Sequence, residues 1–466
     1  MNDIASSTTA TDRDTIVDRF LEKVGERGAQ PALWHKEGEE WKSISWADYG
    51  ERSRAFAGGL IASGYATEEC AAICGYNCPE WVIADVGTML AGCTPVGIYQ
   101  TNSPSEVAYI ADHCEAKVLV VENEDQWKKV DKKRDELPHL ERIVMMFEAD
   151  RVDDEMVVSF DDFLEEGREH LEEVEARIAG IEPDDIGTMI YTSGTTGNPK
   201  GVMLTHENLS FTASQAIKLV GGMHEDDCVV SYLPLSHIAE QMFTIHLAAT
   251  FGYPVWFAED VYEVKDALVA AHPTIFFGVP RIWEKFKAAL ETKLQEATGL
   301  KAKIVDWART VGVEAGYQQI EHGEARGMLG LKYKIADKLF FSKLKEQLGL
   351  DRLRIAVSAA APIGKDVLEF FLSCDIIIRE IYGQSEDSGP TTVNFPQPGQ
   401  TKLGTVGQPL PGIDVKIEED GVYEGKPDGE ILVKGKNVFK GYYKNEEATD
   451  ETFTEDGYMR SGDIGT

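Results

Sequence analysis

Between residues 70 and 122 the chain alternates short apolar runs with stretches of helical spacing, and few folds can use that pattern. An apolar run at 70–76 is followed by a helical stretch at 79–92 with proline near its start. A strand at 95–99, a second helical stretch at 105–114 and the run V-L-V-V within 117–122 complete the series. Strand, helix, strand, helix, strand in units this short predicts a parallel sheet covered on both faces. One helix start is explicit at 102–106, where Ser103 can cap, Pro104 takes the first position and Glu106 follows three residues on.

The alternation resumes after residue 206, with helices at 207–220, 236–250 and 264–271 and strands at 228–233, 256–257 and 274–279, which predicts a second sheet of the same kind. Ile282, Phe286, Leu290 and Leu294 recur every four residues and open a helical insertion, 281–348, with Gly349 as its C-cap. From 404 onward, alternating strands broken by glycine predict a small β-barrel. The expected organisation is one large α/β domain with a first sheet region at 1–215, a second at 216–395 and the barrel at 396–466.

Charge is distributed unevenly. Residues 148–186 hold sixteen acidic residues against three arginines, interrupted by Val157, Phe160, Phe163 and Leu164, and read as a solvated surface excursion. The helical insertion holds thirteen basic residues against nine acidic ones. It is a locally positive patch on a chain of net charge −34, explained by a solvated helix surface or by approach of a coenzyme phosphate or an anionic membrane. The overall charge excludes a nucleic-acid partner, which needs a basic footprint. An anionic substrate would need magnesium and a few placed cations. The acidity also fits a salty habitat or an absent basic partner.

Seven cysteines, at 70, 74, 78, 93, 114, 228 and 374, form no C-x-x-C pair and read as reduced structural thiols. No run of about 18 apolar residues occurs, and the N-terminus lacks a basic head and an apolar signal core. The expectation is a cytoplasmic protein with no transmembrane segment, with peripheral contact at the inner membrane face left open.

Chemistry concentrates in Y-T-S-G-T-T-G-N-P-K-G-V-M-L-T-H, residues 191–206. Thr192, Ser193, Thr195 and Thr196 place four hydroxyls beside Gly194 and Gly197, and Lys200 is the only lysine or arginine in the run. Glycines bring backbone N–H groups close to a ligand, hydroxyls donate hydrogen bonds and the lysine adds a point charge, so the run suits a nucleotide phosphate. Its spacing is not that of a Walker A loop. Two further strand ends open into polar or small-residue clusters. S-A-A-A-P at 358–362 offers a flat surface for a planar base at Ala359, Ala360 and Ala361. In Y-G-Q-S-E at 382–386, Tyr382 can stack on a base, Ser385 can bond a phosphate and Glu386 can hold magnesium through a hard oxygen.

Together these motifs resemble those of the adenylate-forming superfamily, which contains acyl-CoA synthetases, the adenylation domains of peptide synthetases and beetle luciferases. T-S-G-T-T-G-N-P-K-G resembles its phosphate loop, and S-A-A-A-P its adenine segment, with Ala359 and Ala360 where glycines are common. Y-G-Q-S-E resembles Y-G-x-[ST]-E, implying adenine stacking by Tyr382, phosphate contact at Ser385 and magnesium at Glu386. R-S-G-D-I-G at 460–465 resembles the segment whose aspartate, here Asp463, holds the ribose. L-P-L-S-H-I-A-E at 233–240 resembles the segment whose histidine, here His237, borders the acyl pocket with Gly383 and Gln384. The resemblance implies a layered αβαβα domain of two mostly parallel sheets. It also implies activation of a fatty acid with ATP and magnesium to an acyl-adenylate, then to a thioester of coenzyme A, with Thr192, Lys200, His237 and Glu386 at the chemistry.

Gly383 stands where acetate-using members carry tryptophan, which implies a roomier pocket. G-V-P-R-I-W-E-K at 278–285 and Y-G-Q-S-E-D-S-G-P resemble the long-chain fatty acyl-CoA synthetases of the bubblegum-type branch. Members continue beyond this point into a mobile C-terminal domain that carries a catalytic lysine. The expectation is a truncated chain that binds ATP and acyl-adenylate but turns over poorly. A fatty acyl-AMP ligase, an adenylation domain feeding a carrier protein and a non-catalytic acyl-nucleotide binder share these motifs.

Overall fold

The computed structural model describes residues 13–192, 197–258, 260–423 and 426–466. Its largest sheet has eight strands in the order Gly441–Tyr442, Lys200–Thr205, Ile186–Thr192, Thr94–Ile98, Cys70–Cys74, Val118–Val121, Arg142–Met145, Val157–Ser159. The six strands from Ile186–Thr192 outward are parallel, and the other two pair antiparallel. Each central strand is buried on both faces, which is why these runs are continuously apolar instead of alternating. The expected capping box at Ser103 and Glu106 forms, with both hydrogen bonds made.

The second α/β region is built from two sheets that meet edge to edge. Val229–Ser231 and Val255–Phe257 pair in parallel and continue into Pro31–Glu37 and Glu40–Ser45, so residues near the N-terminus complete a sheet begun two hundred residues later. Ile275–Phe277, Ile355–Ser358 and Ile378–Tyr382 are parallel, and Thr392–Val393 and Gln408–Pro409 add antiparallel strands. The Thr274 N–H donates to the Cys228 carbonyl at 3.2 Å and joins the two. The stretch expected as a small barrel stands as a three-stranded antiparallel sheet, Asp414–Tyr423, Lys426–Lys434 and Met459–Gly465. All seven cysteines are free. Among the described residues no helix is long and apolar enough to cross a membrane.

The acidic stretch 148–186 is not the solvated excursion its charge suggests. It forms the strand Val157–Ser159 and the helices Phe160–Gly167 and Leu171–Ile178, and Phe160, Phe163, Leu164, Val174 and Ile178 are buried in the main core. Phe160, Phe163, Leu164 and Gly167 fall on one helical face, so the apolar positions that look like interruptions are the packing face itself. That face lies so close to the helix Trp46–Ala62 that a Cβ on Gly58 would sit 2.0 Å from the Gly167 carbonyl oxygen. The carboxylates take the outer side.

Candidate active site

The strands Ile186–Thr192 and Lys200–Thr205 form a hairpin whose last pair sets Thr192 opposite Lys200, bringing the first hydroxyl and the cation of the glycine-rich run to one mouth. Ser193, Gly194, Thr195 and Thr196 lie outside the described residues. At Gly197 φ is +120°, a conformation that favours glycine. This end of the hairpin is anchored from the side, where the Tyr109 hydroxyl donates to the Pro199 carbonyl at 3.2 Å and His113 Nδ1 lies 2.7 Å from the Tyr191 hydroxyl.

Two parallel neighbours in the second sheet supply the other walls. Ile355–Ser358 opens into Ala359, Ala360 and Ala361, and Ile378–Tyr382 opens into Gly383, Gln384, Ser385 and Glu386, both at C-terminal strand ends. The Tyr382 hydroxyl donates to Asp463 Oδ2 at 2.9 Å, and Gln384 Nε2 donates to the same oxygen at 2.6 Å and to the Ser461 carbonyl at 2.8 Å. The aspartate expected at a ribose and the tyrosine expected at a base are therefore in direct contact. Burial raises the Tyr382 hydroxyl above the usual tyrosine range and keeps it a donor. The Ser385 hydroxyl is engaged by no group among the described residues and is half-buried.

Glu386 is held by a residue that the motifs do not reveal. The Tyr442 hydroxyl donates to Glu386 Oε1 at 2.9 Å, and the Lys200 ammonium sits 4.6 Å from the centre of the same tyrosine ring. Tyr442 therefore ties the carboxylate of one sheet to the cation of the other. The segment around it is sewn to both: the Phe439 N–H donates to the Glu386 carbonyl, the Lys440 N–H to Met203 and the Tyr443 N–H to Gly201. Asn437, fully buried, donates from Nδ2 to the Asp387 carbonyl and to Thr391 Oγ1, both at 3.2 Å. Neither Tyr442 nor Asn437 stands in a motif that the sequence singles out; the available signal is G-Y-Y at 441–443, within the strand pattern of the expected barrel.

Ala359, Ala360, Gly383 and Gln384 line, together with His237, a small pocket. The rest of its wall is largely apolar and includes Met242, Phe243 and Phe277. His237 Nδ1 accepts from the Ala239 N–H at 3.1 Å, which leaves the ring proton on Nε2 when the imidazole is neutral. Burial lowers its pKa and favours that neutral form.

Gly383 does more than leave room. A Cβ there would meet the Gly389 carbonyl oxygen at 1.5 Å, so the loop itself demands glycine. That tight turn is closed by the Gly389 N–H donating to the Gln384 carbonyl and the Gln384 N–H donating to Asp387 Oδ1 at 2.6 Å. Asp387 is fully buried, and burial pushes its carboxyl up to about 8.

Among the described residues no cluster of three or more His, Cys, Asp or Glu side chains could hold a metal by itself. Glu386 Oε2 accepts from no group among the described residues, beside Oε1 held by Tyr442. One hard oxygen of this kind fits magnesium when phosphates and waters supply the remaining ligands.

Residues 20–443 match the AMP-binding enzyme family. The chain is 39% identical over 458 residues to the long-chain-fatty-acid–CoA ligase ACSBG2 of Xenopus laevis, covering 97% of this chain and 61% of that one. It is 36% identical to human ACSBG2, covering 97% and 67%. The chain thus spans about three fifths to two thirds of the length of these relatives. In fold it matches the anthranilate CoA ligase AuaEII, solved with anthranoyl-AMP, with a TM-score of 0.74 at 20% identity, covering 98% of this chain and 76% of that one. It matches the long-chain-fatty-acid-CoA ligase FadD1 of Archaeoglobus fulgidus at 0.72 and 21%, covering 97% and 82%. By sequence and by fold, the chain belongs to the adenylate-forming family of AMP-binding enzymes.

Proposed function

We propose that these residues activate a medium- or long-chain fatty acid by adenylation and that the whole protein passes the acyl group to coenzyme A. The observation that carries this reading is the joining of three separate motifs by direct contact: Lys200 with Tyr442, Tyr442 with Glu386, and Tyr382 and Gln384 with Asp463. The adjoining apolar pocket supports an acyl chain as the second substrate.

In the first step a carboxylate oxygen bonds to the α-phosphorus of ATP while the bond to the β-phosphate oxygen breaks, giving acyl-adenylate and pyrophosphate. In the second, the sulfur of coenzyme A bonds to the acyl carbon and AMP leaves. Lys200 and the hydroxyl of Thr192 would bind phosphate oxygens at the hairpin mouth, with Ser193, Gly194, Thr195, Thr196 and Gly197 completing the cradle. Glu386 would hold a magnesium ion, whose chemistry when bound is to offset charge on the phosphates. Tyr382 and Ala359 to Ala361 would flank the base, Ser385 the α-phosphate and Asp463 the ribose. His237, held neutral, would border the reacting carboxylate. Positioning and charge offset carry most of such a reaction. We place it in the cytoplasm, with peripheral contact to the inner membrane face.

Pyrophosphate release with ATP, magnesium and fatty acids of graded length tests the reading. Release that rises with acyl length supports it, and release with no acyl dependence overturns it. Assayed alone, the 466 residues should turn over slowly beside a chain extended by the family's C-terminal domain. A thioester formed only on coenzyme A supports the ligase; release without that thioester assigns the acyl group to a carrier protein.

A further inference from the structure

Far along the chain from the phosphate hairpin, one surface combines exposed apolar area with unneutralised positive charge. The helix Gly327–Ala336 continues through a π-turn, Asp337–Phe341, into Ser342–Leu348. Its inner side is seated, with Leu329 and Tyr333 packed on a core cluster that also buries Ala336, Phe340, Phe341 and Leu344. Its outer side carries Met328, Leu331, Ile335 and Leu339, which are 70%, 56%, 46% and 44% exposed. Spacings of three, four and four put them in one stripe. Nowhere else among the described residues do exposed large apolar side chains recur at helical spacing.

Four exposed lysines, 332, 334, 338 and 343, border the stripe on both sides. None makes an ion pair among the described residues, whereas the nearby Lys287 and Lys345 are bound to Asp366 and Asp375. Residues 326–345 hold six lysines and arginines against one acidic residue, Asp337, in a chain of net charge −34. Scattered exposed apolar residues need no explanation, but a stripe rimmed by charge of one sign does.

We propose that this face docks on an anionic phospholipid bilayer, with Met328, Leu331, Ile335 and Leu339 entering the acyl boundary and the four lysines reaching the headgroups. An apolar stripe flanked by lysines is what an in-plane helix needs, since the lysine stems can lie along the boundary while their charges meet phosphate. The strongly negative remainder of the chain would be repelled by the same surface, so this face alone sets the orientation. A second copy is the poorer occupant, because a two-fold contact would set unpaired lysines against themselves. The proposal gives the peripheral contact a surface, and its test uses neither ATP nor an acyl substrate, so it can fail while the adenylation reading stands.

The test is co-sedimentation of the 466-residue chain with vesicles of phosphatidylcholine, with and without phosphatidylglycerol, at low and high salt. Binding should need the anionic lipid, weaken with salt, and fall at least about tenfold in Leu331→Ser/Ile335→Ser and in Lys334→Glu/Lys338→Glu. These side chains are exposed, so both variants should unfold at the wild-type temperature. Equal binding to neutral vesicles, no binding to either kind, or wild-type binding by both folded variants would overturn the proposal. So would a concentration-dependent dimer, seen by sedimentation velocity, that the apolar variant abolishes without altering vesicle binding.

Discussion

Two strand ends meet at the site, and they are built on opposite plans. The loop after Ile355–Ser358 is small-residue surface, with Ala360 and Ala361 exposed and Ala360 held at φ +70°, where alanine is strained and glycine is not. The loop after Ile378–Tyr382 is cross-braced: Gly389 to Gln384, Gln384 to Asp387, Asn437 to Asp387 and Thr391, Ser388 to the Asn437 carbonyl. The surface proposed for a planar ring needs flatness, and the carboxylate proposed to act at the phosphates needs a fixed position. The contrast extends to neighbouring residues. Glu386 points one oxygen at Tyr442 and keeps the other without a partner among the described residues, while Asp387 is buried and braces the loop from behind.

Gly383→Ala should cost about 2–3 kcal/mol in stability, because the Cβ meets backbone and not a side chain that can swing away. A denaturant midpoint equal to that of the wild type would show that the brace is slack. The buried carboxylate sharpens the same point through pH. Its folded pKa, about 8, lies above the unfolded carboxylate value, so its contribution is fully present below about pH 4 and is lost as pH rises toward 8. Relative to D387N, the wild type should lose up to about 1.4 kcal/mol per pH unit across that window, read from unfolding curves at each pH. Parallel stability profiles for the two proteins would contradict a protonated Asp387.

Tyr442→Phe removes one hydrogen bond and keeps the ring under Lys200. The expected result is about a tenfold fall in kcat with little change in KM for the acid, the size of one charge-assisted bond that positions Glu386. Unchanged kcat would demote the tyrosine to packing. At the permissive strand end the effect should be smallest and opposite in sign: Ala360→Gly should stabilise by about 1 kcal/mol by relieving the left-handed strain, set against the entropy glycine loses on folding. A destabilised variant would mean that the methyl group packs usefully.

The parts of the site legible in sequence are those carried by local spacing. The glycine-rich run, the two strand ends and Asp463 all lie in short segments whose composition differs from their surroundings, and Thr192 and Lys200 face each other because a hairpin is itself local. Tyr442 and Asn437 were not legible, because Gly441–Tyr442 is two residues of strand added to the edge of a sheet more than two hundred residues earlier, opposite Val202 and Met203. The acidic stretch 148–186 misled for a different reason. Its dense charge masks the packing face, although Phe160, Phe163 and Leu164 have the spacing of a helical face. The basic insertion makes the converse point, since its outer stripe at 328, 331, 335 and 339 has the same spacing as a core face and is exposed.

The most direct test of the account compares Glu386→Gln with D387N in fatty-acid-dependent exchange of labelled pyrophosphate into ATP, which reports the first step alone. If the two neighbouring carboxylates are divided as described, Glu386→Gln should lose at least about a hundredfold while D387N at pH 7 stays within about tenfold of wild type. Equal losses, or a larger loss in D387N, would contradict the assignment of Glu386 to the phosphates and of Asp387 to the loop.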